Sequence, residues 1–401
     1  MMADGCEETA PGEARLIRLF EEAIGTGFTE GNRIERLVNG DRIFPPMLEA
    51  IAEARRSIEF LTFVYWRGDI AQRFAHALAE KAREGVPVRV LLDAYGAAPM
   101  ARELVEVMEQ GGVMLRWFRP LLRWRLGRSL RRSHRKVLVT DGRLGFTGGV
   151  GIATEWCGDA RDETEWRDTH LLLEGPAVRG LRAAFYGNWA EAVAGEGERA
   201  AGLAEALASG EDVAPRPGGA RVQVVRSSAS YGWSDVVAMI ELAIASARRS
   251  LRIGTAYFTP DAPTTRALVA AARRGVTVEV MLPWPHMDKR VSQLAGAEAI
   301  TPLLEAGVAI HVFQPSMYHA KVMLVDDALS ILGSANFNRR SAWQDEEVCL
   351  VCLDRALARA LAADWDADVA RCAAIDLDAW RDRGVWERAQ EAAARLLKPV
   401  V

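Results

Sequence analysis

The chain has 401 residues, 50% of them hydrophobic and 26% charged, which excludes a disordered polypeptide and leaves room for two domains or one large double-core unit. The formal net charge of −4 removes any general electrostatic case for nucleic acid, although local clusters still matter. Five scattered cysteines, Cys6, Cys157, Cys349, Cys352 and Cys372, fit a reducing compartment and not a disulfide framework.

The N-terminal stretch Met1–Arg15 is polar and acidic and lacks a basic-then-apolar signal pattern. No apolar run approaches the roughly 18 residues needed to cross a bilayer, so any membrane role is expected to be peripheral. The segment Glu53-Ala-Arg-Arg-Ser57-Ile recurs as Ser246-Ala-Arg-Arg-Ser250-Leu, and each copy leads into a β-rich run, Ile58–Trp66 and Leu251–Phe258. Ala79–Leu92 then parallels Ala270–Leu282. Both read as a helix closed by Gly85 or Gly275 and followed by a Val-rich strand. Gly111–Trp117 likewise parallels Gly307–Phe313.

The order of units predicts a duplicated α/β chain with two mixed central sheets flanked by helices. The expected division is residues 1–31 as a polar segment and helix, 32–194 as the first domain, 195–220 as a Gly/Ala/Glu/Pro-rich linker, and 221–401 as the second domain. Cys349-x-x-Cys352 lies in the apolar run Val348–Leu353, where strand alternation sends the thiols to opposite faces, a structural pattern.

Both halves carry His-x-Lys-x-x-x-x-Asp: His134, Lys136 and Asp141, then His319, Lys321 and Asp326. Each signature runs into a small-residue turn, Gly148-Gly149 in the first half and Gly333-Ser334-Ala335-Asn336 in the second. An imidazole and an ammonium two residues apart on a strand share one face. Histidine titrates near neutrality, so one imidazole can attack phosphorus while its twin protonates the leaving oxygen. Lys136 and Lys321, with Ser334 and Asn336, are expected to neutralise the phosphate oxygens, and Gly148 and Gly149 to let backbone approach them. Asp168 and Glu347, each opening a strand-like run after its motif, are expected to orient the histidines. Asp141 and Asp326 complete the signature, but their odd spacing from the histidines predicts a structural role, pairing with a basic group.

On these residues the chain resembles the phospholipase D superfamily. His319, Lys321, Asp326, Gly333, Ser334 and Asn336 match its pattern in full. The first copy departs from it at Gly151, where an Asn is usual. Phe146-Thr-Gly-Gly149, Trp166-Arg-Asp-Thr-His170, Tyr257-Phe-Thr-Pro260 and Gly333-Ser-Ala-Asn336-Phe make it most similar to bacterial cardiolipin synthases. The resemblance implies a bilobal fold with the active site at the pseudo-twofold interface and a phosphohistidine intermediate formed without metal or other cofactor. It also suggests His134 as nucleophile and His319 as general acid/base, an order the residues themselves leave open.

Substrate class must come from outside the motif. Between Leu115 and Arg132, arginines alternate with Leu and Trp and no acidic residue intervenes. Arg116, Trp117, Arg119, Arg123, Trp124 and Arg125 are expected to contact an anionic membrane surface. Single-stranded nucleic acid and a solvated basic loop are the other readings of that stretch. The expected partners are anionic phospholipids and the cytoplasmic face of a membrane, not nucleic acid. The expected reaction joins two phosphatidylglycerol-type lipids and releases glycerol. A phospholipid hydrolase and a nuclease of the same fold are the alternatives, with a non-catalytic lipid-binding module behind them. The C-terminal run Val385–Val401 reads either as a second surface helix or as core packing.

Overall fold

The computed structural model describes residues 11–120, 131–193, 215, 219–228, 234–384 and 390. The first half contributes β1 (Thr29–Val38), β2 (Ile58–Thr62), β3 (Val88–Asp93), β4 (Met114–Phe118), β5 (Val137–Thr140), β6 (Leu144–Gly148) and β7 (Thr169–Glu174). The second contributes β8 (Ala220–Arg226), β9 (Ser250–Gly254), β10 (Thr277–Leu282), β11 (Ala309–Phe313), β12 (Val322–Val325), β13 (Leu329–Gly333), β14 (Val348–Leu353) and β15 (Cys372–Ala374). Outward from the centre the two halves run β1-β7-β6-β5-β2-β3-β4 and β8-β14-β13-β12-β9-β10-β11, with β15 added at one edge. The order is the same in both, so the repeated sequence units are repeated structural units.

Within each half, three neighbouring strands are parallel (β2-β3-β4 and β9-β10-β11) and the remaining pairings are antiparallel. Antiparallel pairing of β1 with β8, Thr29 opposite Val222 and Asn32 opposite Ala220, joins the halves into one continuous sheet. Strand β1 therefore starts at Thr29, inside the stretch assigned by sequence to the N-terminal segment.

Apolar residues on opposite faces of these strands bury under separate helical layers. Helices Asn39–Glu53, Asp69–Arg83 and Arg102–Gln110 cover one face of the first half-sheet, packing on Phe60, Val88 and Val90. Asp235–Ser246, Ala262–Arg273 and Arg290–Glu305 do the same for Ile253, Val278 and Val280 in the second. The other face is shared: Val178–Ala192 and Arg355–Val369 pack against residues of both halves in one cluster. The helix Pro11–Ile24 crosses over, burying Phe20 in the core of the second half. Cys349 faces that outer core and Cys352 the shared one.

The two repeated short motifs meet each other. Asp141 sits in a left-handed turn (φ +56°), and its carboxylate accepts hydrogen bonds from the backbone N–H groups of Arg55, Arg56 and Ser57 at 2.7–3.1 Å. Asp326 (φ +53°) does the same for Arg248, Arg249 and Ser250 at 2.7–2.9 Å. The Ala-Arg-Arg-Ser loop is thus the amide cradle that each signature aspartate fills. This corrects the expectation that the aspartates pair with basic side chains, because backbone N–H groups already occupy the carboxylates. Seven residues of extended chain, roughly 20 Å, also separate each aspartate from its histidine.

Candidate active site

Each histidine lies just ahead of its strand, where the chain crosses to the other half. Ser133, before His134, forms a parallel bridge with Glu346, and Tyr318, before His319, forms one with Arg167. The His134 N–H donates to Glu346 O (2.9 Å), and the Glu346 N–H returns a bond to Arg132 O (2.8 Å). The His319 N–H donates to Arg167 O (2.7 Å), and the Arg167 N–H to Met317 O (2.9 Å). These reciprocal backbone bonds place each histidine beside a carboxylate from the other half.

His134 Nδ1 lies 3.1 Å from both Glu347 oxygens, and His319 Nδ1 lies 2.7 Å from Asp168 Oδ2. An ionised carboxylate only accepts, so each imidazole donates Nδ1–H and leaves the Nε2 lone pair for chemistry. Ser334 Oγ–H donates to Glu347, and the Trp156 indole N–H donates to Asp168 Oδ2 at 2.9 Å. Aromatic rings wall the imidazoles: Phe63 edge-on to His134 at 5.1 Å, and Trp156 and Trp166 against His319 at 5.1 and 5.4 Å.

Lys136 Nζ donates to His134 O at 2.8 Å, and Lys321 Nζ lies 3.1 Å from each ring nitrogen of His319. Both lysines are buried. Burial pushes the Lys136 ammonium down to about 7, and the charge of Lys321 adds to the fall. Burial likewise takes Lys321 to about 8. It lowers His134 too, against the pull of Glu347, and takes His319 to about 3 with Lys321 helping. Burial opposes charge on the carboxylates, yet His134, Lys136 and the Ser334 hydroxyl hold Glu347 at about 2. His319 and Lys321 keep Asp168 below the usual carboxylate range. Near neutral pH both imidazoles are therefore neutral and both carboxylates ionised, and an anion beside the lysines favours their charged form.

The small-residue turns are closely packed against the site. A Cβ at Gly149 would lie 2.3 Å from Asp168 Oδ1, and one at Gly148 2.5 Å from His170 Nδ1. Ser334 is committed to Glu347 and to the backbone of Val348. The Ser334 hydroxyl has a single hydrogen, and in this arrangement it goes to Glu347. Asn336 differs, because its side-chain oxygen is buried without a hydrogen-bond partner, and an amide can rotate to offer N–H to an anion. At Gly151 there is no room for the usual Asn: a Cβ would meet Val64 Cβ at 2.6 Å and the Trp156 ring at 3.1 Å.

Of the expected membrane contacts, Arg116 and Trp117 are half-buried, and the expectation is corrected for Arg119 alone. Arg116 and Trp117 lie in edge strand β4, where Trp117 packs on the first-half core and Arg116 donates to Leu115 O at 2.9 Å. Arg119 pairs with Glu191 (2.7 Å) and Glu346 (2.6 Å) and is largely buried. Arg123, Trp124 and Arg125 lie outside the described residues, as does most of Val385–Val401.

Sequence reasoning missed Trp156 and the buried network behind His134. There Arg135 donates to Asn188 Oδ1 (2.7 Å), Ser227 O (2.7 Å) and Glu347 O (3.2 Å), while Asn188 also bonds Glu346. Arg135 occupies the middle of its signature where Ala320 stands in the other, and that difference was the available signal. Among the described residues no group of three or more His, Cys, Asp and Glu side chains converges as metal ligands do.

Against known proteins, the family model described as "Cardiolipin synthase, PLD-like domain" matches residues 47–165 and 240–369. This chain belongs to that family. It is 30% identical over 399 residues to "Cardiolipin synthase 1" of Bacillus cereus, covering 98% of this chain and 78% of that protein. It is 33% identical over 374 residues to "Probable cardiolipin synthase YwiE" of Bacillus subtilis, covering 92% and 72%. The crystal structure of phosphatidylserine synthase from Haemophilus influenzae superposes with a TM-score of 0.72 at 15% identity, covering 96% of this chain and all of that one. At that identity the likeness is one of fold.

Proposed function

We propose that this chain is a cardiolipin synthase-type phosphatidyltransferase acting on phosphatidylglycerol-type lipids at a membrane surface, from the cytoplasmic face. His134 Nε2 attacks the phosphorus of the first lipid, forming a P–N bond. The P–O bond to glycerol breaks, and glycerol leaves with a proton from His319. The glycerol hydroxyl of a second lipid then attacks, delivering its proton to His319 as the P–N bond breaks, and cardiolipin is released. The negative phosphodiester raises the proton affinity of His319, Lys136 and Lys321, so substrate entry itself charges the acid. Asp168 and Glu347 steady the imidazolium forms.

The observation that carries this reading is the pair of crossed histidine–carboxylate contacts, His134–Glu347 and His319–Asp168, each with a buried lysine beside it. Two acid–base units at one interface suit a double displacement. No described helix is long and apolar enough to cross a membrane.

The test is mass spectrometry of phosphatidylglycerol liposomes incubated with the purified protein. Cardiolipin with an equivalent of free glycerol supports the transferase, and its loss in His134→Ala and His319→Ala ties it to this site. Phosphatidic acid without cardiolipin would make water the acceptor and the protein a hydrolase. No lipid product, with cleavage of oligonucleotides, would overturn the lipid reading.

A further inference from the structure

The two halves superpose in sequence with an offset of 185 at the histidines (319 − 134). At that offset Ser334 corresponds to Gly149, Asn336 to Gly151 and Ser341 to Trp156. In the second half Ser334 donates to the Glu347 carboxylate, and Ser341 Oγ accepts from the Asn336 N–H at 3.0 Å. In the first half both polar side chains are gone and a large ring has arrived. The vacated space is filled, since a Cβ at Gly149 would collide with Asp168 and one at Gly151 would meet Val64 and the Trp156 ring. The three differences are therefore one exchange.

Trp156 is 2% exposed. Its Nε1–H donates to Asp168 Oδ2 at 2.9 Å, the same oxygen that accepts from His319 Nδ1 at 2.7 Å. The Thr169 N–H holds the other oxygen at 2.8 Å. The ring stands edge-on to His319 with its centroid 5.1 Å away and packs against Trp166 at 4.5 Å. We infer that Trp156 is a positioning residue for His319: its indole N–H fixes the Asp168 carboxylate, in place of the hydroxyl that Ser334 gives to Glu347. A donor on the shared oxygen reduces that oxygen's basicity, which keeps His319 neutral, and by holding the carboxylate in place it keeps the His319 proton on Nδ1. The ring blocks rotation of the imidazole. The exchange makes the two histidines unequal: one carboxylate is held by a rotatable hydroxyl, the other by a rigid indole.

The lipid-turnover part of the test rests on the function proposed above, while the titration part does not. Trp156→Phe removes the N–H and keeps an aromatic ring. A tryptophan analogue with sulfur in place of the ring N–H, incorporated at position 156, removes the donor and preserves the shape, which covers the case in which the Phe variant fails to fold. With six histidines in the chain, nitrogen-15 histidine NMR resolves His319, assigned by its loss in His319→Ala. Removing the donor is expected to raise the His319 pKa by roughly one unit and to mix its tautomers. It is also expected to lower kcat about tenfold at unchanged KM. Trp166→Phe, which alters a neighbouring ring, is expected to leave the tautomer intact.

An unchanged His319 titration and tautomer in the sulfur analogue would overturn the inference, whatever happens to the rate. If the wild-type protein turned over no lipid, the function proposed above would fail, and the NMR comparison would still decide this one.

Discussion

Asp168 accepts a 2.7 Å hydrogen bond from His319 Nδ1 across 151 residues and from the other repeat. Glu347 takes His134 in the opposite sense. Neither half holds a complete histidine–carboxylate unit, so both units form only where the halves meet. The backbone bridges Ser133–Glu346 and Arg167–Tyr318 make the crossing obligatory.

The crossing predicts which substitution silences which histidine. Asp168→Asn and Glu347→Gln keep the size of each side chain and remove its charge, and each is expected to lower kcat by about 10²–10⁴-fold. Acid quenching during turnover then separates them. The adduct on His134 should form slowly in Glu347→Gln, whereas in Asp168→Asn both its formation and its breakdown should slow, because His319 acts in both steps. Recovery of the phosphatidyl group on His319 would reverse the assigned order.

Lys136, pushed down to about 7, and Lys321, to about 8, set a pH dependence. Their folded values lie below the unfolded ones, so the unfolded chain binds more protons between about pH 7 and 10.5, and stability rises with pH across that window. The penalty is fully present below pH 7, where an oxyanion relieves it by pairing with both ammonium groups. Orthovanadate is therefore expected to raise the melting temperature more at pH 6.5 than at pH 9. An equal rise at both pH values, read by differential scanning fluorimetry, would remove the lysines from the anion site.

Restoring the usual residue at Gly151 should harm the protein. Gly151→Asn must displace Val64 or Trp156, and overpacking of this kind costs about 1–3 kcal/mol. Urea unfolding reads the loss directly. A variant as stable as the wild type would show that the Trp156 ring yields easily.

Arg119 offers a test of the basic segment. Arg119→Ala leaves Glu346 and Glu191 without their shared partner and is expected to destabilise the fold by about 1–3 kcal/mol. Affinity for anionic liposomes, measured by co-sedimentation, should hold. A drop in liposome binding at constant stability would return Arg119 to the membrane surface.

Much of the architecture is local and was legible. Gly85 (φ +89°) and Gly275 (φ +92°) end their helices where the sequence placed the stops, because only glycine enters that backbone region at little cost. The alternation Val348–Leu353 sends Cys349 and Cys352 to opposite cores. The duplication, the mixed sheet order and the pairing of imidazole with ammonium in each signature follow from period-2 geometry and from repetition itself.

Partners at a distance were not legible, because sequence spacing says nothing about which groups fold against which. By itself the sequence determined two equivalent α/β halves, a histidine and a lysine in each, and two acidic residues available to orient them. Folding in three dimensions is what pairs each carboxylate with the opposite half, seats Asp141 and Asp326 in amide cradles, and turns Arg119 inward. It also decided that Asp168 fills the space beside Gly149, and that Val64 and Trp156 fill the space beside Gly151. Buried polar groups must find partners wherever the packed chain brings them, and a joint sheet closed by β1 and β8 is what brings these together.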